Sequence, residues 1–261
     1  GGTIKNRYDS TYQIINKGSL NIDDSLIQVS GIDNQNGTLT LCDNLNVTTV
    51  NNNGELSLSD GVEITTLNQQ GELLSINKEA NIETLNVLSG DLEVISNADI
   101  GTINHSGETL VLKNKAIVDT VVHNGTSFVI GAGVNIQNVT LGKDKYIIAD
   151  EQFNPVKLTI KLDSNELKGL NTWGEKIVKL IVPKDGTSLS NDLLDKIVVS
   201  GINGLVSVEI DSDEIVAKTI ELNGIFIDGV NGDNDNSGTH DNPVKTFARA
   251  KEILEIVAPR T

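Results

Sequence analysis

Apolar residues recur with one fixed spacing through the first 150 residues of the chain. When each unit is numbered from its first apolar residue as position 0, positions 0, 2, 6, 8 and 11 are apolar and the others are mostly polar. Six successive units begin at Leu39, Leu56, Leu74, Leu92, Leu110 and Phe128, with a constant 18-residue step after a first step that is shorter by one. This constant register predicts that units stack, because no single unit can bury its apolar face alone.

The spacing inside a unit predicts strands. Apolar residues two apart have the period of a β-strand, whose alternate side chains share a face. The step from position 8 to 11 breaks that alternation and predicts a corner. Glycines two or three residues before the units predict a second corner with positive φ; they are Gly37, Gly54, Gly71, Gly90, Gly107 and Gly125. Each unit is therefore predicted to be one coil of an all-β, parallel β-solenoid.

The handedness of the coil rests on the remaining positions. Positions 12 to 17 carry no consistent apolar residue, which favours a right-handed parallel β-helix with two well-defined strands per coil. The alternative is a left-handed β-helix, whose 18-residue coils consist of three similar hexapeptides. Tyr146 and Ile148 keep the 18-residue step, and the regular solenoid is predicted to span residues 1–150.

Two polar columns accompany the apolar ones. Position 10 is Thr49, Thr66, Thr84, Thr102 and Thr120, and position 12 is Asn51, Asn68, Asn86 and Asn104. Like residues on adjacent parallel strands can form hydrogen-bonded ladders. The sequence favours this structural role over a polar binding strip.

The register is lost after residue 150. Residues 151–222 keep β-like runs and a short helical turn near residues 190–196, which predicts irregular coils that cap the solenoid, with a separate small β domain as the alternative. Residues 223–261 are predicted to form a strand at 225–228, an Asn/Asp/Gly loop and a helix. Pro243 is the expected first residue of that helix, with Asp241 or Asn242 as cap. Phe247, Ala250, Leu254 and Val257 are expected to share one face of it.

The stretch from Ile225 to Ala250, IFIDGVNGDNDNSGTHDNPVKTFARA, resembles the opening segment of pectate-lyase-like parallel β-helix modules of Gram-positive bacterial cell-surface proteins. The stretch from Thr172 to Lys218 is similar to the terminal coils that precede such modules. The resemblance implies the end of one β-helix followed by the start of the next. It implies no single activity, because this superfamily contains both lyases and adhesin stalks.

Composition narrows the classes of partner. Asp and Glu total 36 against 20 Lys and Arg, a formal net charge of −16. This balance argues against binding to nucleic acid or to anionic membranes, and no apolar run has the length of a membrane helix. The single cysteine, Cys42, excludes an intrachain disulfide. The lack of methionine predicts that the chain is part of a larger protein.

One loop has the opening of a calcium-binding motif. Asp233, Asp235 and Ser237 place hard oxygen ligands at alternate positions before Gly238, as in the loop of an EF-hand. The twelfth position is Val244, where that motif requires a bidentate Glu. A connector rich in turn-forming residues is therefore the alternative. Calcium is the one possible cofactor.

Catalytic chemistry has weak support in the sequence. Outward columns hold Glu63 and Asp99 at position 7 and Glu83 and Asp119 at position 9, and Glu83 and Asp99 could share a metal or act as an acid/base pair. The resemblance implies an Arg or Lys base for a lyase, and arginine occurs only at residues 7, 249 and 260. The carboxylates are more typical of a solvated face.

The histidines suggest a second possible metal site. His105 and His123 are separated by one full repeat and are predicted to stack at a polar corner. They could ligate a transition metal, but no third ligand column accompanies them.

The expected function is that of a non-catalytic fragment of a secreted protein attached to the cell wall. It would serve as an adhesin or stalk whose rigid face binds a host glycan or an extracellular-matrix protein. A polysaccharide-active enzyme, either a lyase or a glycoside hydrolase, is one alternative. An inert spacer is the other.

Overall fold

A computed structural model describes residues 12–22, 29–71, 73–76, 78–162, 177–200, 205–219, 222 and 224–257 of the chain. The strands are β1 (Tyr12–Asn16), β2 (Ser19–Ile22), β3 (Val29–Asn34), β4 (Thr38–Leu41), β5 (Asn46–Asn52), β6 (Glu55–Leu58), β7 (Glu63–Gln69), β8 (Leu73–Ile76), β9 (Asn81–Val87), β10 (Asp91–Val94), β11 (Asp99–His105), β12 (Thr109–Leu112), β13 (Ile117–His123), β14 (Ser127–Ile130), β15 (Asn135–Leu141), β16 (Ile147–Ala149), β17 (Leu158–Leu162), β18 (Ile177–Pro183), β19 (Ile197–Ser200), β20 (Val206–Asp211) and β21 (Glu214–Thr219). A 3-10 helix spans Asn191–Lys196 and helix α1 spans Phe247–Val257.

The strands stack into a β-solenoid of about eight turns, which confirms the predicted fold class. The odd-numbered strands from β1 to β19 form one ten-stranded sheet. The even-numbered strands β2, β4 and β6 form a three-stranded sheet, and those from β8 to β18 form an eight-stranded sheet together with β21 and β20. Pairing between successive coils is parallel; for example, Ile82 pairs with Ile100 and Ile100 with Val118.

The apolar columns of the repeat form the core. Leu92, Val94, Ala98, Ile100 and Ile103 occupy positions 0, 2, 6, 8 and 11 of one coil, and all five are fully buried. Each strand thus turns alternate apolar side chains toward the axis, where the next coil covers them, so burial of apolar area drives the stacking.

The predicted corner after position 8 is a bend inside a continuous seven-residue strand. In the pairing of β9 with β11, Ile82 pairs with Ile100 and Thr84 with Thr102, while Glu83 and Gly101 at position 9 are left out of the register. The bend sends positions 11 and 13 toward the axis. Position 13 is buried in every coil from Asn34 to Leu141, so the third side of the coil does have inward residues. The right-handed sense and its left-handed alternative stay predictions.

The reason predicted for the glycine column is wrong for most of its members. Of the six glycines, only Gly90 has a positive φ (71°). The others are required by close approach between coils, since a Cβ on Gly54 would press against the carbonyl oxygen of Gly37, and one on Gly107 against that of Gly90.

The end of the regular repeat also differs from the prediction. Ile130 pairs with Ala149, so the last step is longer by one than the steps before it. Ile147 and Ala149 are buried, whereas Tyr146, which the constant step selected, is 39% exposed. The two sheets continue through β17 to β19, and then the antiparallel pair β20–β21 joins β18. The 3-10 helix occupies the predicted helical turn.

Residues 224–257 contain less regular structure than predicted. The expected strand at 225–228 is a single bridge between Ile227 and Val244. Helix α1 begins at Phe247, after Thr246, whose Oγ1 accepts a hydrogen bond from the amide of Arg249 at 3.2 Å. Thr246 rather than Asp241 or Asn242 is therefore the cap.

The buried face of α1 was also predicted wrongly. Ala250 and Ile253 are buried, whereas Phe247 is 75% and Leu254 47% exposed.

Candidate functional site

The position-13 column is a line of polar side chains inside the solenoid. Successive amides form a ladder: Asn16 Nδ2 donates to Asn34 Oδ1, Asn34 Nδ2 to Asn52 Oδ1, and Asn52 Nδ2 to Gln69 Oε1, each at 2.7 Å. The same amides also donate to loop carbonyls, among them Gly37 O at 2.9 Å. This ladder satisfies buried polar groups and ties each loop to the strand beside it.

The ladder ends where the column changes residue type. Gln69 pairs with Val87, which offers no acceptor, and Gln69 Nε2 is buried without a hydrogen-bonding partner in the described structure. Val87 pairs in turn with His105, His105 with His123, and His123 with Leu141. The column thus changes from amides to two imidazoles, and these imidazoles lie between the aliphatic residues Val87 and Leu141.

His105 and His123 stack on adjacent coils, as expected from their spacing, but they lie in the interior and not at a polar corner. Their side chains are 0% and 1% exposed, their ring centroids are 5.0 Å apart, and the two Nδ1 atoms are 2.9 Å apart. The ring of Phe128 lies 5.4 Å from that of His123. Burial lowers the pKa of His105 from 6.5 to about 4 and that of His123 to about 3.

The stacked pair supplies two of the donors that a metal site of the usual kind needs. A metal-ligating histidine needs further donors around the ion. Within the described ranges, no group of three or more His, Cys, Asp or Glu side chains is placed to hold a metal ion. Metal binding by the pair stays a prediction, and the lowered pKa values favour neutral imidazoles in this buried contact.

A second buried polar group, the carboxylate of Asp150, lies at the end of the regular coils. Asp150 Oδ2 accepts from Lys113 Nζ at 2.7 Å and from Lys184 Nζ at 3.0 Å, and Asp150 Oδ1 accepts from the amide of Glu151 at 2.9 Å. The side chain of Lys113 crosses the coil at Gly131, where a Cβ would lie 2.9 Å from its Cγ. The hydrogen bond from Lys113 holds the pKa of Asp150 well below its ordinary value.

The outward Thr and Asn columns form a flat surface, which we call the Thr–Asn face: Thr49, Thr66, Thr84, Thr102 and Thr120, with Asn51, Asn68, Asn86 and Asn104. Each Asn from Asn68 onward donates to the Asn of the preceding coil at 2.8 Å, as predicted. Within the described coils, no hydrogen bond joins the threonine hydroxyls to one another or to these amides. The face contains no charged residue.

The predicted carboxylates lie beside this face, on the other side of the bend. Glu63 accepts from Asn46 Nδ2 at 3.0 Å, and Asp119 accepts from Gln137 Nε2 at 3.1 Å. Glu83 and Asp99 are on neighbouring strands, as expected, but no hydrogen bond joins them in the described structure.

A shallow groove lies over the same strands. Its volume is about 180 Å³, and it is lined by Asn46, Glu63, Ile64, Thr65, Asn81 and Glu83. This volume is below the roughly 300 Å³ at which ligand pockets commonly begin. Of the arginines, Arg249 lies on α1, where it pairs with Glu252 at 3.1 Å, and residues 7 and 260 fall outside the described ranges.

The predicted calcium ligands lie in a loop held by its own backbone. Asp233 Oδ1 accepts from the amide of Asp235 at 3.1 Å, and the Ser237 hydroxyl contacts that of Thr239 at 3.1 Å. Asn234 lies between Asp233 and Asp235, and its Oδ1 accepts hydrogen bonds from the amide and the hydroxyl of Thr246. These contacts are those of a turn-rich connector, and calcium binding by this loop stays a prediction.

Sequence reasoning missed the position-13 column and the Asp150 cluster. The column did leave a signal, because Asn16, Asn34 and Asn52 recur at the coil spacing, each two positions beyond an apolar column. Asp150 left none, since its partners Lys113 and Lys184 have no spacing in common with the repeat.

A scan against protein-family models finds no match for this chain, and searches of the curated proteins and of the solved structures find none either. The resemblance to surface β-helix modules therefore stays a prediction beyond the shared solenoid fold. No helix in the described ranges has the length and apolar character needed to cross a membrane.

Proposed function

We propose that this chain is a non-catalytic β-solenoid module of a secreted, cell-wall-attached surface protein, and that its Thr–Asn face is an adhesive surface. The observation that carries the proposal is the face itself. It repeats one hydroxyl and one amide per coil, at the strand spacing of about 4.8 Å, along a protein whose net charge is −16.

The chemistry of the face favours an uncharged polar partner. Hydroxyl and amide groups offer donors and acceptors without the desolvation cost of a charge. A neutral host glycan, or an extracellular-matrix protein with a polar surface, suits this face better than an anion does. Because the groups repeat, individually weak contacts can act in series on one rigid support.

The experiment is binding of the labelled protein to an array of neutral glycans and matrix proteins. The test variant is Thr66→Val, Thr84→Val and Thr102→Val, which removes three hydroxyls and keeps the β-branched shape. The matched control is Thr40→Val, Ser57→Ala and Ser75→Ala, which removes three hydroxyls from strands β4, β6 and β8, outside the ten-stranded sheet.

We expect saturable binding that the test variant loses at least tenfold and the control keeps. Equal loss in both variants would show that the face is not the binding surface. A clean array would favour the inert spacer, and release of oligosaccharides from a polysaccharide would favour the enzyme.

A further inference from the structure

The two kinds of buried polar residue in the position-13 column respond differently to protons. The amides of Asn34 and Asn52 have partners in their own loops and in the next coil. The imidazoles have fewer partners: His105 Nε2 is buried with none in the described structure, and Val87 and Leu141 bound the pair on either side.

Protonation conflicts with this packing. The contact of 2.9 Å between the two Nδ1 atoms requires one nitrogen to donate and the other to accept. With both rings protonated, two N–H donors and two positive charges would face each other. A proton on His105 Nε2 would also lack an acceptor.

The charged groups around the pair do not offset this conflict. Asp91 raises the pKa of His105, but its Oδ1 already accepts the amide of Thr109 at 2.9 Å. Lys145 lowers the pKa of both histidines, and His105 lowers that of His123. Burial is the largest cause for both, so the closed coils hold the imidazoles neutral.

We infer that the two adjacent coils carrying His105 and His123 form an acid-sensitive joint in the rod, which opens more readily as the pH falls below about 6.5. Opening lets water reach both rings, so each takes up its proton. The joint separates the amide-laddered coils from the coils that end at the Asp150 cluster.

The sign follows from the direction of the shifts. Each histidine has a lower pKa in the closed rod than in an open chain, so the open state binds more protons below pH 6.5. The stability that the neutral pair contributes is fully present above pH 6.5 and is lost as the pH falls toward 4 for His105 and toward 3 for His123. Between pH 8 and pH 5 the opening equilibrium shifts by at most about thirtyfold per histidine, or about a thousandfold for the pair.

The test variant is His105→Val with His123→Leu, because Val87 and Leu141 already occupy this column on either side. The control is His240→Asn, since His240 is exposed and is the third of three histidines. Urea unfolding and hydrogen exchange of the full chain are compared at pH 7.5 and 5.0. For the wild type, we expect the change to pH 5.0 to lower the urea midpoint of unfolding and to speed hydrogen exchange first in β11 and β13. The control should respond to pH as the wild type does. The test variant should lose most of this pH response.

A second variant and a direct titration keep the test decisive if Val and Leu impair folding. His105→Asn with His123→Asn replaces the imidazoles with a pair of amides, which do not titrate, and should also be insensitive between these pH values. In the wild-type protein, NMR should show the buried pair titrating only as the coils open. Titration of His105 and His123 near 6.5 with β11 and β13 still protected would overturn the inference, and so would an unchanged pH response in both variants.

Discussion

The position-13 column crosses two regions of the rod that bury polar atoms in different ways. From Asn16 to Gln69 each amide donates to the next, and the loops supply further acceptors. From Val87 to Leu141 two imidazoles contact each other between aliphatic neighbours. The same backbone position thus carries a chain of hydrogen-bonded amides in one region and a single imidazole–imidazole contact in the other.

The difference shows what stacking requires of a buried polar group. An amide has donors and an acceptor on one side chain, so a ladder can continue through any number of coils. A neutral imidazole has one of each, and its state depends on pH. The stability of the amide region should therefore depend on its hydrogen bonds, and the stability of the imidazole region should depend on pH.

The largest expected effect comes from breaking the amide ladder. Asn52→Leu would leave Gln69 Oε1 and Asn34 Nδ2 without a partner in the ladder, and we expect a loss of about 3 kcal/mol in the free energy of unfolding. Asn51→Leu, one residue away on the outward row, is the control and should cost less than about 1 kcal/mol. Urea unfolding at pH 7.5 measures both, and equal losses would contradict a special role for the inward amides.

The glycine corners should behave alike in the two regions. A Cβ on Gly54 or on Gly107 would meet the backbone of the preceding coil, so either change to Ala should cost about 2 kcal/mol through overpacking. Gly229→Ala, where a Cβ meets nothing within 4 Å, is the control for chain stiffening. Thermal unfolding compares the three, and a much smaller loss at Gly107 would mean that the regions differ beyond position 13.

Protonation of Asp150 should lower the stability of the folded protein, as a second acid effect separate from that of the histidines. Its pKa is lowered in the folded protein, so its stabilisation is present above the ordinary aspartate pKa and is lost as the pH falls below about 4. Asp150→Asn should cost about 1–2 kcal/mol at pH 7, because both lysines remain partly hydrated. Unfolding from pH 7 to 3 should show the variant converging on the wild type, and the exposed Asp43→Asn should follow the wild type throughout.

The smallest effect tests whether the boundary between the regions can be moved. Val87→Asn would offer an acceptor to Gln69 Nε2, and this gain should offset the lost apolar burial, so we expect a change within about 1 kcal/mol. Val94→Asn, at an equally buried apolar position, should cost about 3 kcal/mol. Urea unfolding of the two variants decides the matter: similar costs would mean that the ladder cannot be extended.

The sequence predicted the fold better than it predicted the interior. Residues such as Leu92 and Ile100 share an apolar type with their columns, and that regularity was sufficient to predict parallel coils. Position 13 was overlooked because the recurring Asn residues end at Asn52, and the column then changes residue type to Val87 and His105. The Thr and Asn columns were predicted by residue number, but as structural ladders, and the sequence did not separate them from the charged columns beside them.

Local signals near the end of the chain were less reliable. Pro243 and Asp241 matched a helix start, but Thr246 is the cap, since its hydroxyl is the group that contacts the first turn. The helix buries Ile253 and exposes Phe247 because the surface that covers it is set by the preceding loop, which periodicity within the helix does not encode.

The sequence by itself determined the coil length, the apolar columns and the acidic exterior, because each is a property of single residues repeated at a fixed step. Only the tertiary structure decided that position 13 faces inward, that Lys113 reaches Asp150 across Gly131, and that two histidines share a buried contact. These features depend on the bend at position 9 and on which side chains the next coil brings within hydrogen-bonding distance. Such contacts exist only after stacking, so no single repeat contains them.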